Sequence, residues 1–299
     1  MRNLTVLDGG MGRELKRIGA PFSQPLWSAQ ALIEAPHFVA QAHQGFIDAG
    51  AELISVNSYA CVPFHLGESL YKSKGHALAK QAAMIASEVA NKAPQKVLVA
   101  GSLPPAFGSY RPDLFEKERA FDILNNLYNA QDQFVDVWLA ETISSIEEAS
   151  VIAQVMEDSA KPCYYAFTLS DEIKSAPKLR SGELVTDAIA ILLSRKIEGI
   201  LFNCSIPEVI EQAIVETQSC LKKYPKEISI GAFANSFTPI LANHKANEVV
   251  QGSRDLSPEE YLSFVKKWHA HGANVIGGCC GITPEHIQAI AEWKKQLEV

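Results

Sequence analysis

Short apolar runs rich in β-branched residues recur along the whole chain, and each stops at a small or polar residue where a loop begins. They fall at residues 4–7, 52–56, 96–100, 135–140, 162–167, 199–202, 228–232 and 273–276. Runs of this length and composition predict eight strands. Between them the apolar positions switch to helical spacing, as in Phe38, Ala42, Phe46 and Ala49 or in Ala82, Ile85, Ala86 and Val89. Similar stripes cover 121–134, 146–156, 185–193, 209–221, 261–268 and 287–297. Ser257-Pro258-Glu259-Glu260 and Thr283-Pro284-Glu285-His286 each supply a cap, a first-turn proline and an early carboxylate, which together start a helix.

Strand and helix alternating eight times predict an α/β chain folded as a (β/α)8 TIM barrel, one domain over residues 1–299 with enlarged loops. The rival is a doubly wound open sheet, which needs a break in the alternation or a nucleotide fingerprint. Neither is present: Gly10-Met11-Gly12-Arg13-Glu14-Leu15 has leucine where the third glycine would fall, and no Gly-Lys-Ser/Thr follows. The loops at 101–113 and 235–257 read as rim or lid loops.

Composition narrows the class. With 299 residues, 27 basic and 34 acidic side chains and a net charge of −7, the chain is no strongly basic nucleic-acid binder. At 47% hydrophobic and 20% charged it can bury a large core without staples. Six cysteines are too sparse for a disulfide-built scaffold. The N-terminal run Met1-Arg2-Asn3-Leu4-Thr5-Val6-Leu7-Asp8 reaches an acid too soon for a signal peptide, and no apolar stretch is long enough to span a membrane. The expectation is a soluble cytoplasmic protein whose cysteines stay thiols, with small-molecule partners and neither nucleic-acid nor membrane partners.

In a parallel barrel the carboxyl ends of the strands converge on one face. Here those ends hold Asp8, Asn57, Glu141, Asn203, Cys204, Cys279 and Cys280. Gly277-Gly278-Cys279-Cys280-Gly281 closes the eighth strand, and its glycines let the backbone turn both sulfurs toward one point. Cys204 ends the sixth strand, two positions around the ring. Three converging thiolates would give zinc three soft ligands and leave its fourth tetrahedral position open to a substrate thiol, which binding would deprotonate near neutral pH. Buried thiols, or a Cys279–Cys280 vicinal disulfide, are the simpler alternatives. Cys163 and Cys220 read as small apolar residues, with Cys61 a reserve candidate. The eight histidines show no metal spacing and read as surface or packing residues.

Asp8-Gly9-Gly10 offers a carboxylate for an ammonium and backbone N–H groups for a carboxylate, and Glu141 adds a second acid. Alternatively Asp8 caps the following helix and Glu141 pairs with an arginine. Together the two acids suit the α-amino head of a thiol substrate. Trp27 and Tyr59 either wall the pocket or pack in core and rim.

These residues place the sequence near a known family. Leu7-Asp8-Gly9-Gly10-Met11-Gly12, Pro25-Leu26-Trp27-Ser28, Ala140-Glu141-Thr142, Phe202-Asn203-Cys204 and Ile276-Gly277-Gly278-Cys279-Cys280-Gly281-Ile282-Thr283-Pro284 together resemble the homocysteine S-methyltransferases. That family includes S-methylmethionine-dependent enzymes, betaine-homocysteine methyltransferase and the homocysteine module of cobalamin-dependent methionine synthase. The resemblance implies a Zn2+ cofactor on Cys204, Cys279 and Cys280, with homocysteine sulfur in the remaining place. It further implies a substrate amino group at Asp8 and Glu141, a substrate carboxylate at the Gly9-Gly10 backbone, and Asn203 and Trp27 at the substrate pocket. No catalytic side chain is needed beyond the metal-activated substrate thiol, because a sulfonium donor leaves as a neutral thioether. The length leaves no room for folate and cobalamin modules, and betaine enzymes are typically longer. The expected donor is therefore S-methylmethionine, with S-adenosylmethionine second. The alternatives are a betaine-dependent homocysteine or selenocysteine methyltransferase, and a non-catalytic homocysteine binder whose Cys279–Cys280 pair responds to oxidation. A zinc hydrolase is disfavoured by an all-cysteine ligand set.

Overall fold

The computed structural model describes residues 3–173, 176–240 and 251–297. Eight parallel strands occur in the expected order: β1 (Thr5–Val6), β2 (Leu53–Ser55), β3 (Leu98–Leu103), β4 (Val137–Ile143), β5 (Cys163–Phe167), β6 (Gly199–Asn203), β7 (Ser229–Phe233) and β8 (Val275–Ile276). Each strand pairs with its sequence neighbours, and β8 returns to β1 through Thr5–Val275 and Val6–Ile276. A parallel bridge between Leu7 and Leu53 closes the ring, supported by Glu52 N–H to the Val6 carbonyl at 2.8 Å and Asp8 N–H to the Leu53 carbonyl at 3.0 Å. The fold is a (β/α)8 TIM barrel.

Eleven α-helices are present among the described residues: α1 (Met11–Arg17), α2 (Ser28–Glu34), α3 (Pro36–Asp48), α4 (Pro63–Leu66), α5 (Glu68–Lys92), α6 (Lys117–Gln131), α7 (Ile146–Val155), α8 (Val185–Leu192), α9 (Pro207–Leu221), α10 (Pro258–Ala270) and α11 (Pro284–Leu297). Ser257 starts α10 through a full capping box: its hydroxyl accepts the Glu260 N–H while Glu260 accepts the Ser257 N–H. At the start of α11 the Thr283 hydroxyl instead bonds the side chains of Glu285 and His286, and the Thr283 N–H donates to His286 Nδ1. The short helices α1, α2 and α4 lie in the loops after β1 and β2, where no helical stripe is long enough to announce them.

Strand alternation sorts the core into two layers. Leu7, Leu53, Ala100, Val137, Leu139, Ala166, Leu201, Phe233 and Val275 fill the barrel. Their neighbours Trp138, Ala140, Ile200 and Phe202 face outward into the larger core under the helices. Trp138 stacks on Tyr128 of α6 with ring centroids 4.5 Å apart, and it occupies the space a Cβ at Gly101 would need.

Two strands depart from expectation. β3 continues past residue 100 and β4 past residue 140, so Ser102 and Glu141 are strand residues rather than loop residues. Glu141 lies at a register shift between Ala140 and Ile143 in the pairing with β5. Such irregularities re-aim side chains at barrel rims. Residues 241–250 of the expected 235–257 loop lie outside the described residues. Among the described residues no helix is long and apolar enough to cross a membrane.

Candidate thiol and metal site

One cavity of about 200 Å³ opens at the carboxyl ends of the strands. Of the residues singled out in the sequence, Asp8, Gly9, Gly10, Trp27, Tyr59, Glu141, Cys204, Cys279 and Cys280 all line it. Asn203 does not.

The close meeting of the β1 and β8 loops explains the paired glycines. A Cβ on Gly9 would lie 2.5 Å from the Ile282 carbonyl oxygen, and one on Gly10 would lie 2.5 Å from that of Cys279. The Gly10 N–H donates to the Ile282 carbonyl at 2.9 Å, so this glycine locks two loops together and its N–H is already committed. On the other side of the β8 loop the Cys279 N–H donates to Ala234 at 2.8 Å, and the Cys280 carbonyl accepts from Ser236 at 2.9 Å.

Those bonds bring three sulfurs together. The Sγ atoms of Cys204, Cys279 and Cys280 lie within 4.8 Å of one another. Cys204 and Cys279 form a disulfide with Cα atoms 5.7 Å apart, while Cys280 is a free thiol that burial raises to about 11. The oxidised pair therefore joins the end of β6 to the loop after β8, across the end of β7, and is not the adjacent Cys279 and Cys280. Cys61 is a fully buried thiol outside this group, Cys163 is buried within β5 and Cys220 is half-buried on α9.

The two acids sit in dry surroundings. Asp8 accepts the Ser55 N–H at 2.8 Å and the Ser55 hydroxyl at 3.1 Å; it is not a helix cap. Burial, reinforced by the charge of Glu141, raises its pKa to about 8 against the pull of the Ser55 bonds. Among the described residues Glu141 has no arginine partner; it accepts the Ser102 hydroxyl at 2.6 Å, and burial raises it to about 7. Ser55 and Ser102 were not singled out in the sequence, although Ser102 follows Leu98 and Ala100 on the inward face of β3 by strict alternation.

Asn203 works one layer behind. Its Oδ1 accepts the Thr142 N–H at 2.8 Å and its Nδ2 donates to the Thr142 hydroxyl at 3.0 Å. Thr142, next to Glu141, has φ 61°. Trp27, Tyr110, Thr142 and Cys204 are the non-glycine residues with left-handed backbone among the described residues, and all but Thr142 line the cavity. Conformations of this kind concentrate at functional sites.

Aromatic side chains complete the wall. Trp27 packs edge-on to Phe22 at 5.7 Å, and Tyr59 Oη bonds Ser109 Oγ at 2.7 Å. Tyr110, Phe237 and Ile240 pack with Cys204, Cys279 and Cys280 as an apolar layer over the sulfurs. Tyr110 and Phe237 were not named as site residues, although they lie in the 101–113 and 235–257 segments read from the sequence as rim or lid loops.

The family model described as homocysteine S-methyltransferase matches residues 5–293. The chain belongs to the homocysteine S-methyltransferase family. Homocysteine S-methyltransferase 4 of Zea mays is 27% identical over 98% of this chain and 90% of its own length. The selenocysteine Se-methyltransferase of Brassica oleracea var. italica is 26% identical over 95% of this chain and 87% of its own. Among solved structures, the homocysteine methyltransferase MmuM of Escherichia coli, in metallated and oxidized forms, shares the fold with a TM-score of 0.79 at 24% identity, over 98% of this chain and 96% of that one. The protein is thus an enzyme of the methyltransferase class, and homocysteine is the acceptor for which its family is named.

Proposed function

We propose that this homocysteine S-methyltransferase family member uses Zn2+ held by Cys204, Cys279 and Cys280 and transfers a methyl group from a sulfonium donor to homocysteine, forming methionine. The observation that carries it is three cysteine sulfurs within 4.8 Å of one another in the cavity that also holds Asp8 and Glu141. An all-sulfur donor set of this compactness fits zinc, once the Cys204–Cys279 disulfide is reduced. Bound there with one position open, the ion would supply a Lewis acid that lowers the pKa of an incoming thiol.

The chain's own residues do the rest. Asp8 and Glu141, kept partly protonated near neutral pH by burial, ionise fully when the homocysteine ammonium arrives, which orients the substrate with its sulfur toward the cysteines. Ser55 and Ser102 fix the two carboxyl groups in place. Trp27, Tyr59, Tyr110 and Phe237 line the cavity, exclude water and offer aromatic surface to a cationic donor. The homocysteine thiol gives up its proton, its sulfur forms a bond to the donor methyl carbon, and the carbon–sulfonium bond breaks with its electron pair leaving on a neutral thioether. S-Methylmethionine is the small donor that suits this cavity, with S-adenosylmethionine second.

Relatives named as selenocysteine methyltransferases support a second acceptor, since a selenol with an α-amino acid head makes the same contacts. The test is metal content and methyl transfer measured together. Reduced wild-type protein binds one Zn2+ and methylates homocysteine, and Cys204→Ala, Cys279→Ala and Cys280→Ala each lose both. Full zinc occupancy and turnover in all three variants would contradict the site.

A further inference from the structure

Cations around the barrel rim are engaged with carboxylates. Arg17 makes two bonds of 2.7 Å to Glu14, Arg180 reaches Asp171 at 3.0 Å and Arg254 reaches Glu208 at 2.6 Å. Arg13 is different. It is the one arginine or lysine lining the cavity among the described residues, it is half-buried on α1, and no carboxylate of the described residues pairs with it. Its guanidinium lies 5.4 Å from the centroid of the Phe237 ring, and a terminal nitrogen approaches the Gln251 carbonyl at 3.4 Å. A cation laid on a cavity wall with no carboxylate partner among the described residues is poised to bind an anion.

Its position separates two possible anions. Arg13 rests on Phe237, which belongs to the apolar layer over the sulfurs, whereas Asp8 and Glu141 are held by Ser55 and Ser102 on β2 and β3. Through Phe237 the cation is thus tied to the layer that packs with the three sulfurs. In-line displacement aligns the nucleophilic sulfur, the methyl carbon and the leaving sulfur, so the donor lies beyond the acceptor sulfur and not beside the acceptor's amino-acid head. A donor whose carboxylate rests on Arg13 has its sulfonium within the aromatic layer next to the sulfurs.

We propose, on the basis of the functional reading above, that Arg13 is a specificity-determining residue that binds the carboxylate of the methyl donor. The donor is then an amino-acid sulfonium with a free carboxylate, held by Arg13 at one end and by aromatic faces around its sulfonium. A sulfonium without a carboxylate meets the positive charge of Arg13 uncompensated, so the same residue favours one donor class and repels the other.

The experiment compares wild type with Arg13→Gln and Arg13→Lys in the reduced, zinc-loaded enzyme, using S-methylmethionine and trimethylsulfonium as donors. Loss of a charge-assisted contact raises the KM for S-methylmethionine in Arg13→Gln by about tenfold to a hundredfold. The KM for homocysteine stays within about twofold, which also shows that the variant is folded, and Arg13→Lys recovers part of the loss. Trimethylsulfonium is used no worse, or better, by Arg13→Gln. A donor KM unchanged in Arg13→Gln overturns the assignment while leaving the functional reading intact, and so does an effect that falls on homocysteine instead. Wild-type enzyme that turns over neither sulfonium overturns the functional reading and this inference with it.

Discussion

Glu141 raises the pKa of Asp8 across the cavity, and both carboxyl groups are pushed toward neutrality by burial, Asp8 to about 8 and Glu141 to about 7. Folded-state pKa values above the unfolded ones mean that each group favours folding most at acid pH. That contribution is lost as pH rises through about 7 and 8. A bound ammonium reverses the preference, because it stabilises the charged forms. Methionine carries the same amino-acid head without a thiol and so reports on the carboxylates alone. Its binding is expected to release protons near neutral pH, and its affinity to rise about fivefold or more between pH 6 and 7. Calorimetry in buffers of different ionisation enthalpy measures both; pH-independent binding without proton release would remove the two acids from the ammonium site.

Asn203 acts through Thr142. Two hydrogen bonds, from the Thr142 N–H to Asn203 Oδ1 and from Asn203 Nδ2 to the Thr142 hydroxyl, hold Thr142 at φ 61°, beside Glu141 at the register shift of β4. Asn203→Ala leaves a buried N–H without its acceptor and is expected to cost about 1 to 3 kcal/mol of stability. Because the displaced residue adjoins Glu141, the KM for homocysteine rises while the zinc content of the reduced protein does not change. Denaturant titration and metal analysis on the same sample check the two halves.

Gly10 and Cys279 leave no room between them. A methyl group at Gly10 would lie 2.5 Å from the Cys279 carbonyl oxygen, so Gly10→Ala must push the β1 and β8 loops apart. A loss of about 2 to 4 kcal/mol is expected, together with weaker zinc binding because Cys279 and Cys280 ride on the displaced loop. Competition with a chelator gives the metal affinity.

Asp171 ties three rim loops together. Its carboxylate accepts the Ile206 N–H at 3.0 Å and the Ile240 N–H at 2.8 Å while pairing with Arg180, whose guanidinium also lies 4.9 Å from the Tyr110 ring centroid. The pair is nearly fully buried. Asp171→Ala strands Arg180 in a dry site and is expected to cost about 3 to 5 kcal/mol, read as a fall in thermal midpoint.

The order of strands and the identity of the site were legible because each strand is short, apolar and stopped by a polar residue, and because the chemistry sits at those stops. Cys204, Cys279 and Cys280 are adjacent to strand ends in sequence and therefore adjacent in space once the barrel closes. What stayed hidden depends on contacts between loops. Gly10 looked like a free backbone donor, yet its N–H is spent on Ile282, a partner 272 positions away in the chain. Asn203 looked like a pocket residue because it adjoins Cys204, but Thr142 occupies its amide. Ser55 and Ser102 carry common side chains whose role appears only when Asp8 and Glu141 are placed above them.

The central claim is tested most directly by supplying reduced, zinc-loaded protein with homocysteine and, in parallel reactions, with S-methylmethionine, S-adenosylmethionine, betaine or methyl-folate, and measuring methionine formed. Rapid methionine formation with S-methylmethionine, slower formation with S-adenosylmethionine and none with the other two is the expected result. Methionine formed only from betaine or methyl-folate, or from none of the four, would contradict it.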